Sequence, residues 1–375
     1  METKYNKVKR AIQSNIMDGT YTAHQKISSE SELMKQFGVS RHTVRLAIGD
    51  LVAKGWLYRE QGSGTFCADR STAEEGKQAM DSKNIAIVTT YISDYIFPSI
   101  IRGAESRLSQ EGYQVSIFST NNDHHKERDI LEKILSQSFD GVIVEPTRSA
   151  YSNPNINYYL NLERLGIPYI MINAYYDELE PTRLVMDDER GGYLQTEHLI
   201  QLGHTEIAGL FKTDDTQGTK RMKGFLKAHR KYGIPLNPKN IITYNTEEKH
   251  TKPGTELENL LTATADITGL VCYNDELAIN VLNVLRSKGL KVPTNLSVVG
   301  YDDSFLTEVS EVKLTSVAHP KSEMGKAAAD TILELIKGKE TVKGNASSQV
   351  ESIIYEPKLI LRGSTKELQS IEITS

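Results

Sequence analysis

Cysteine is scarce: the chain holds only Cys67 and Cys272 in 375 residues. Two thiols exclude a disulfide framework, and neither has metal-ligating neighbours at a useful spacing, so each reads as a small buried apolar residue. Long apolar runs are also absent. None approaches the roughly 20 residues that a membrane-spanning helix needs. The first ten residues, METKYNKVKR, are charged and lead into no apolar segment, unlike a secretory leader. The expected location is therefore the cytoplasm. His124 and His125 are adjacent and the other histidines are scattered, which is surface histidine rather than a ligand set, so no metal and no cofactor are expected. The glycine-rich residues 61–64 lack the Gly-Lys-Ser/Thr ending of a phosphate-binding loop.

Charge is unevenly spread. Residues 1–70 hold eleven Lys and Arg against seven Asp and Glu, giving +4. The other 305 residues hold 33 against 42, giving −9 of the total −5. A basic head on an acidic body suits a head that meets phosphate and a body that does not. The length calls for two or three folding units.

Residues 28–66, SSESELMKQFGVSRHTVRLAIGDLVAKGWLYREQGSGTF, carry the densest pattern. Ser29 and Glu32 form a capping box that opens a helix. Gly38 breaks that helix and Ser40 caps the next. There Val44, Ile48 and Leu51 share an apolar face, while Arg41 and Arg45 sit four apart on another. Gly55 ends the second helix. Trp56, Leu57 and Tyr58 then face Thr65, Phe66 and Cys67 across Gly62-Ser63-Gly64, a hairpin signal. A helix over 3–18, with an apolar stripe of Tyr5, Val8, Ile12 and Ile16, precedes all this. The order is that of a winged helix-turn-helix. Guanidinium groups at the start of a groove-entering helix can pair with guanine O6 and N7, its N-terminus attracts phosphate, and Gly62 and Gly64 let the wing backbone approach a duplex.

The segment ISSESELMKQFGVSRHTVRLAIGDLVAKGWLYREQGSGTF resembles the winged helix-turn-helix of GntR-type bacterial regulators. That resemblance implies DNA contacts at Lys4, Glu30, Arg41, His42, Arg45, Gln61 and Gly62; Gly64 joins them from the wing-tip argument. The unit is expected over residues 1–68, with a polar linker, lacking apolar periodicity, over 69–83.

From residue 84 the rhythm changes. Short apolar runs at 85–88, 115–118, 142–144, 169–172, 207–210, 270–272 and 296–299 alternate with amphipathic helical patterns such as 97–111, 126–137, 191–202, 220–231 and 275–287. That alternation means βαβ units and parallel sheets, here enough for two doubly wound lobes. Ligands bind beyond the carboxyl ends of such strands. Polar and aromatic residues cluster there, at 91–95, 145–148, 173–176, 212–215, 274–275 and 302–303. Any one such cluster could be a cap or a turn. Together they make an inventory for a polyhydroxylated ligand, with Tyr95, Glu145, Tyr175, Lys212 and Asp275 among the candidates.

Residues 84–363 resemble the effector-binding and dimerisation domain of LacI/GalR-type repressors, itself similar to periplasmic binding proteins. The motifs are HLIQLGHTEIAGL, RMKGF, CYNDELAI, VPTNLSVVGYDDS and LTSVAHPKSEMGKAAADTILELI. The resemblance implies effector contacts at Asn173, Arg221, Asn274, Asp302 and His319, the last where relatives often carry glutamine. Residues 364–375 are left as a tail. Nothing in 69–83 resembles the minor-groove hinge helix of LacI-type repressors, so coupling through a hinge helix is not carried over. The fold class implied is α/β: a winged helix-turn-helix head and a two-lobed, doubly wound, periplasmic-binding-protein-like body.

The pairing of these two domain types, with TTYISDYIFPSIIRG, VEPTRSA, DDTQGTKRMKGF and EVKLTSVAHPKS, resembles the arabinose-repressor family. That resemblance implies L-arabinose as the ligand. A homodimer on palindromic double-stranded operator DNA is expected because a single head of about 70 residues offers only a small interface, and the reading is a repressor released by the sugar, without membrane or catalytic function. The residues alone stop at a small polar ligand, leaving open another sugar or polar metabolite. A glycoside hydrolase could draw on Glu145, Asp187, Asp188, Asp302 and Asp303. Adjacent pairs such as Asp187-Asp188 diverge, however, and a DNA reader is foreign to hydrolases. A transport binding protein fits the body but not the basic head.

Overall fold

The computed structural model describes residues 3–69, 83–93, 95–264, 266–341 and 350–368. Most of the expected linker and the end of the tail lie outside them.

The head contains α1 (Lys4–Met17), α2 (Glu30–Phe37), α3 (Arg41–Ala53), β1 (Leu57–Glu60) and β2 (Gly64–Cys67). Its helix boundaries follow local chemistry. Ser29 and Glu32 make the reciprocal capping box at α2, Gly38 ends that helix at φ 60°, and the Ser40 hydroxyl accepts from the Thr43 amide at α3. A left-handed stop of this kind costs a β-carbon-bearing residue more than it costs glycine. Val8, Ile12 and Ile16 of α1 meet Leu33, Val44, Ile48 and Leu51 in one apolar core, closed by Trp56, Leu57 and the buried Cys67. The wing is an antiparallel pair, with Leu57 opposite Cys67 and Glu60 opposite Gly64.

In the first lobe run β3 (Asn84–Thr89), α4 (Phe97–Gln110), β4 (Gln114–Ser119), α5 (His124–Ser136), β5 (Gly141–Val144), α6 (Ile156–Arg164), β6 (Tyr169–Ile172) and β7 (Arg183–Met186). The second lobe continues with α7 (Asp188–Gln201), β8 (Ile207–Lys212), α8 (Thr216–Tyr232), β9 (Ile241–Tyr244), α9 (Lys252–Ala263), β10 (Gly269–Cys272), α10 (Asp275–Ser287), β11 (Ser297–Asp302), α11 (Leu306–Val309) and β12 (Thr315–Ala318). Then α12 (Lys321–Thr341) returns to pack on α4. β13 (Ile353–Tyr355) joins the first sheet and β14 (Lys358–Ile360) the second.

The sheet orders are β13-β7-β6-β5-β3-β4 and β14-β12-β11-β10-β8-β9. All pairings in both sheets are parallel except β12 with β14. The chain therefore crosses between lobes three times: after β7, after β12 and between β13 and β14. Central strands such as Val142–Val144 are buried on both faces, which explains their unbroken apolar runs. Helix packing at the crossings is close. A β-carbon on Gly192 of α7 would collide with the backbone carbonyl of Arg221 on α8, and one on Gly325 of α12 with that of Ile100 on α4.

Five of these strands, β7, β9, β12, β13 and β14, fall outside the apolar runs read from sequence. Each has only three or four residues, and β9, β13 and β14 are sheet edges, so their hydrophobic signal is weak.

Candidate functional sites

On the head, Arg41, His42 and Arg45 project from the first turns of α3 and are exposed. Arg45 Nε donates to Glu30 at 3.0 and 3.1 Å, and Arg41 Nε lies 3.8 Å from the same carboxylate. Lys4 is exposed at the start of α1, and Gln61, Gly62 and Gly64 at the tip of the wing. Gly62 and Gly64 have φ of 82° and 129°, values that favour glycine. A β-carbon on Gly64 would run into the Lys26 side chain. Lys26, not foreseen from the sequence, thus sets an ammonium group beside the wing tip.

In the body a cavity of about 110 Å³ lies between the lobes. Of the expected residues, Tyr95, Glu145, Asn173, Lys212, Arg221, Asn274, Asp302 and His319 line it. Two do not. Tyr175 faces elsewhere, its ring stacked under Arg183 at 4.0 Å with Lys220 at 5.0 Å. Asp275 lies buried behind the cavity, accepting from the Ser304 amide at 2.7 Å and the Ser316 hydroxyl at 2.6 Å. Lining residues that the sequence reading missed include Thr90, Asn122, Tyr244, Lys249 and Gln217.

Arg221 is the centre of the floor. It is 3% exposed. Its Nε donates to Asp188 at 2.8 Å, one terminal nitrogen to the Tyr273 carbonyl at 2.7 Å, and the other reaches Asp302 at 3.5 Å. Its guanidinium also lies 3.5 Å from the centre of the Tyr301 ring, a cation–π contact. Burial pushes the Asp188 and Asp302 carboxyls up, and the guanidinium pulls both back. Asp187 points away and caps α7, while Asp303 pairs with Arg362 at 2.8 Å. The adjacent acids therefore diverge, and the inward carboxylates are held by one arginine.

The opposite wall comes from the first lobe. Glu145 accepts from the Thr90 amide at 2.9 Å, the Thr90 hydroxyl at 2.6 Å and Asn173 Nδ2 at 3.0 Å. Asn173 therefore turns its oxygen to His319 Nε2, 3.1 Å away. With Nε2 the donor, His319 Nδ1 is a buried acceptor with no partner among the described residues. Burial and the nearby cations Lys321 and Arg221 push this imidazole down to about 3, so the ring is neutral and Nδ1 is free to accept. Lys212 is held between Asp215 at 3.0 Å and Asp214 at 3.2 Å. Burial favours its neutral form, but the two carboxylates together outweigh burial and raise its pKa. Asp215 also accepts from Tyr273 Oη at 2.7 Å.

Several bonds bridge the lobes. Tyr95 Oη donates to the Tyr301 carbonyl at 2.9 Å and accepts from the Asp275 amide at 3.0 Å. Asn122 donates to Thr246 at 2.6 Å, and Thr216 bonds Ser149 through amide and hydroxyl at 2.9 and 2.8 Å. His319 occupies one of the three crossings, and Asp188 opens the helix after another. Buried donors, acceptors and aromatic faces at a hinge between two lobes are what a small polyhydroxylated ligand requires.

Comparison with known proteins identifies both parts. Residues 4–67 match the gntR family of bacterial regulatory proteins, and residues 196–365 match the periplasmic binding protein-like domain. The chain is 60% identical over 371 residues to the arabinose metabolism transcriptional repressor of Halalkalibacterium halodurans, covering 99% of this chain and 98% of that one. This chain belongs to the arabinose metabolism transcriptional repressor family. The Geobacillus stearothermophilus member of the family is 48% identical, over 97% and 98% of the two chains. A LacI family transcriptional regulator from Enterococcus faecium, solved with bound ribose, superposes with a TM-score of 0.64 at 27% identity, over 76% of this chain and all of that one. The chain is thus a GntR-headed transcriptional regulator with a LacI-type body, not an enzyme. No helix among the described residues is long and apolar enough to cross a membrane.

Proposed function

We propose that this repressor binds L-arabinose in the interlobe cavity and that binding releases it from the operators of arabinose-utilisation genes. The carrying observation is Arg221. Its guanidinium, Asp188, Asp302 and His319 Nδ1, which has no partner among the described residues, form a floor of charged and neutral hydrogen-bonding groups under aromatic walls. Hydroxyl groups both donate and accept, so such a floor satisfies them all round. The names of two near-full-length relatives support arabinose as the sugar.

The protein acts in this reading as a cytoplasmic homodimer on palindromic DNA, with Arg41, His42 and Arg45 reading bases and Lys4, Gln61, Gly62 and Gly64 meeting backbone. Sugar and operator are linked reciprocally through two body conformations. The ribose held by the Enterococcus faecium regulator makes another pentose the second reading. Calorimetric titration of the full chain with L-arabinose, D-ribose, D-xylose and D-galactose, beside release of a labelled operator by each, tests both. Tightest binding and release by L-arabinose is the expected result. Release by ribose alone would replace the sugar, and release by none would overturn the reading.

A further inference from the structure

One face of α1 is not used by the head. Val8, Ile12 and Ile16 turn into the head core, whereas Arg10, Ser14 and Met17, spaced by four and three residues, meet the first lobe. Arg10 pairs with Asp129 at 2.6 Å and lies 3.7 Å from Glu132. The Ser14 hydroxyl donates to Glu132 at 2.9 Å and lies 3.0 Å from Tyr158 Oη. Tyr158 itself donates to Glu132 at 3.1 Å. Asn161 Nδ2 donates to the Met17 carbonyl, a free acceptor at the end of α1. Asp129 and Glu132 are three apart on α5, and Tyr158 and Asn161 are three apart on α6, so each helix offers one face. Ile16 and Met17 belong to the same continuous apolar cluster as Tyr158 and Leu162. The charges match as the composition does, a basic head against an acidic body.

We infer that the α5–α6 face of the first lobe is a seat for the α1 back of the winged head, and that the seated head belongs to the closed, effector-bound state. The second half rests on the proposed release by sugar. The seat is joined to the cavity by buried hydrogen bonds. Glu127 of α5 is fully buried and accepts from Tyr159 of α6 at 2.8 Å, Tyr176 at 2.7 Å, Asn153 at 3.0 Å and Asn155 at 2.8 Å. Tyr176 Oη also accepts from the Thr147 amide at 2.8 Å. The next residue, Arg148, pairs with Glu247 across the cleft. At its start α5 follows Asn122, which bonds Thr246 of the second lobe. Lobe closure and the attitude of the seat therefore move together. Arg41, His42 and Arg45 stay exposed in the seated head, so the seat acts by fixing where the head points rather than by covering it. A dimer must place two heads at the spacing of its half-sites, and a head pinned to its own body loses that freedom.

The full-length Ser14→Cys, Glu132→Cys double variant tests this, since both native thiols are buried. It is treated with a short bis-methanethiosulfonate cross-linker, which dithiothreitol reverses. An intrachain link, absent from either single variant, is expected, with operator affinity at least tenfold lower linked than after dithiothreitol. Failure to link within one chain overturns the seat, and equal operator affinity of linked and reduced protein overturns its role. Asn161→Asp, which sets a carboxylate against the Met17 carbonyl, is expected to raise the L-arabinose concentration that releases a labelled operator. No change counts against the coupling. If L-arabinose fails to release the wild-type protein, the proposed function fails, while the cross-link still decides the seat.

Discussion

Arg45 Nε lies 3.0 Å from Glu30 Oε2, tying the recognition helix to the helix before it. The arginine is 61% exposed in its side chain and the glutamate 31%, so the pair adds little to stability. It does hold the guanidinium extended near the start of α3, the position from which a recognition helix addresses base edges.

Arg45→Ala is therefore expected to leave folding and sugar binding intact and to weaken operator binding. Loss of one bidentate base contact costs about 1–3 kcal/mol per half-site, and a symmetric dimer loses it twice. Gel-shift titration of the variant, beside its melting temperature, is the check. Unchanged operator affinity in a folded variant would remove Arg45 from the reading set.

Asp275 gives a pH signature. Burial first, and the neighbouring Asp302 charge second, push its carboxyl from 3.8 up to about 7. Below pH 4 it is protonated folded or unfolded and costs nothing. As pH rises toward 7 the unfolded chain releases the proton and the folded one keeps it, so the fold loses stability through that window; above it the loss is constant. A rise from 3.8 to about 7 corresponds to about 4 kcal/mol. The buried His204 and His229 and the half-buried His198, whose pKa values burial lowers, act in the opposite sense. The readout is therefore the difference between wild type and Asp275→Asn. Urea unfolding at pH 5 and pH 8 should show the variant gaining on wild type at the higher pH, and a constant difference would refute the assignment.

Much of this was legible in the sequence because the chemistry is local. The Ser29–Glu32 box, the Gly38 stop and the Ser40 cap each lie within four residues of the groups they satisfy. Strand ends read as polar clusters gave most of the cavity wall. What escaped was non-local. Asp275 follows a strand as Asn274 does, but it turns inward to Ser304 and Ser316, a choice that depends on β12, whose TSVA carries no clear pattern. Tyr175 is two residues from Asn173 and faces Arg183 instead. Asn122 and Lys249 reach the cavity from turns without periodicity, one from each lobe.

Dimerisation is expected to be needed for full operator affinity. A single winged head offers a small interface, whereas specific binding draws on two half-sites. Sedimentation across a concentration series should give a dimer, and a heterodimer carrying one Arg45→Ala head should bind between the two homodimers. Full operator affinity from a strict monomer would contradict this.

Arg221→Ala is expected to do two things at once. The side chain braces the body as well as facing the cavity, because Asp188 and Asp302 are both almost fully buried beside it, with side chains 3% and 5% exposed. Removing one partner of a buried ion pair costs about 3–5 kcal/mol, so the melting temperature without sugar should fall. Removing a charged donor from the floor should also weaken sugar binding at least tenfold, since such hydrogen bonds contribute about 1.5–3 kcal/mol. The head is untouched, so the folded variant should still bind operator and should resist release. The double variant Arg221→Met, Asp188→Asn separates the effects by removing a negative charge together with the positive one. Stability should then recover in part, and sugar response should not. Recovery of sugar response along with stability would make Arg221 a brace only, and release of the single variant at the wild-type L-arabinose concentration would show that its guanidinium does not bind the effector.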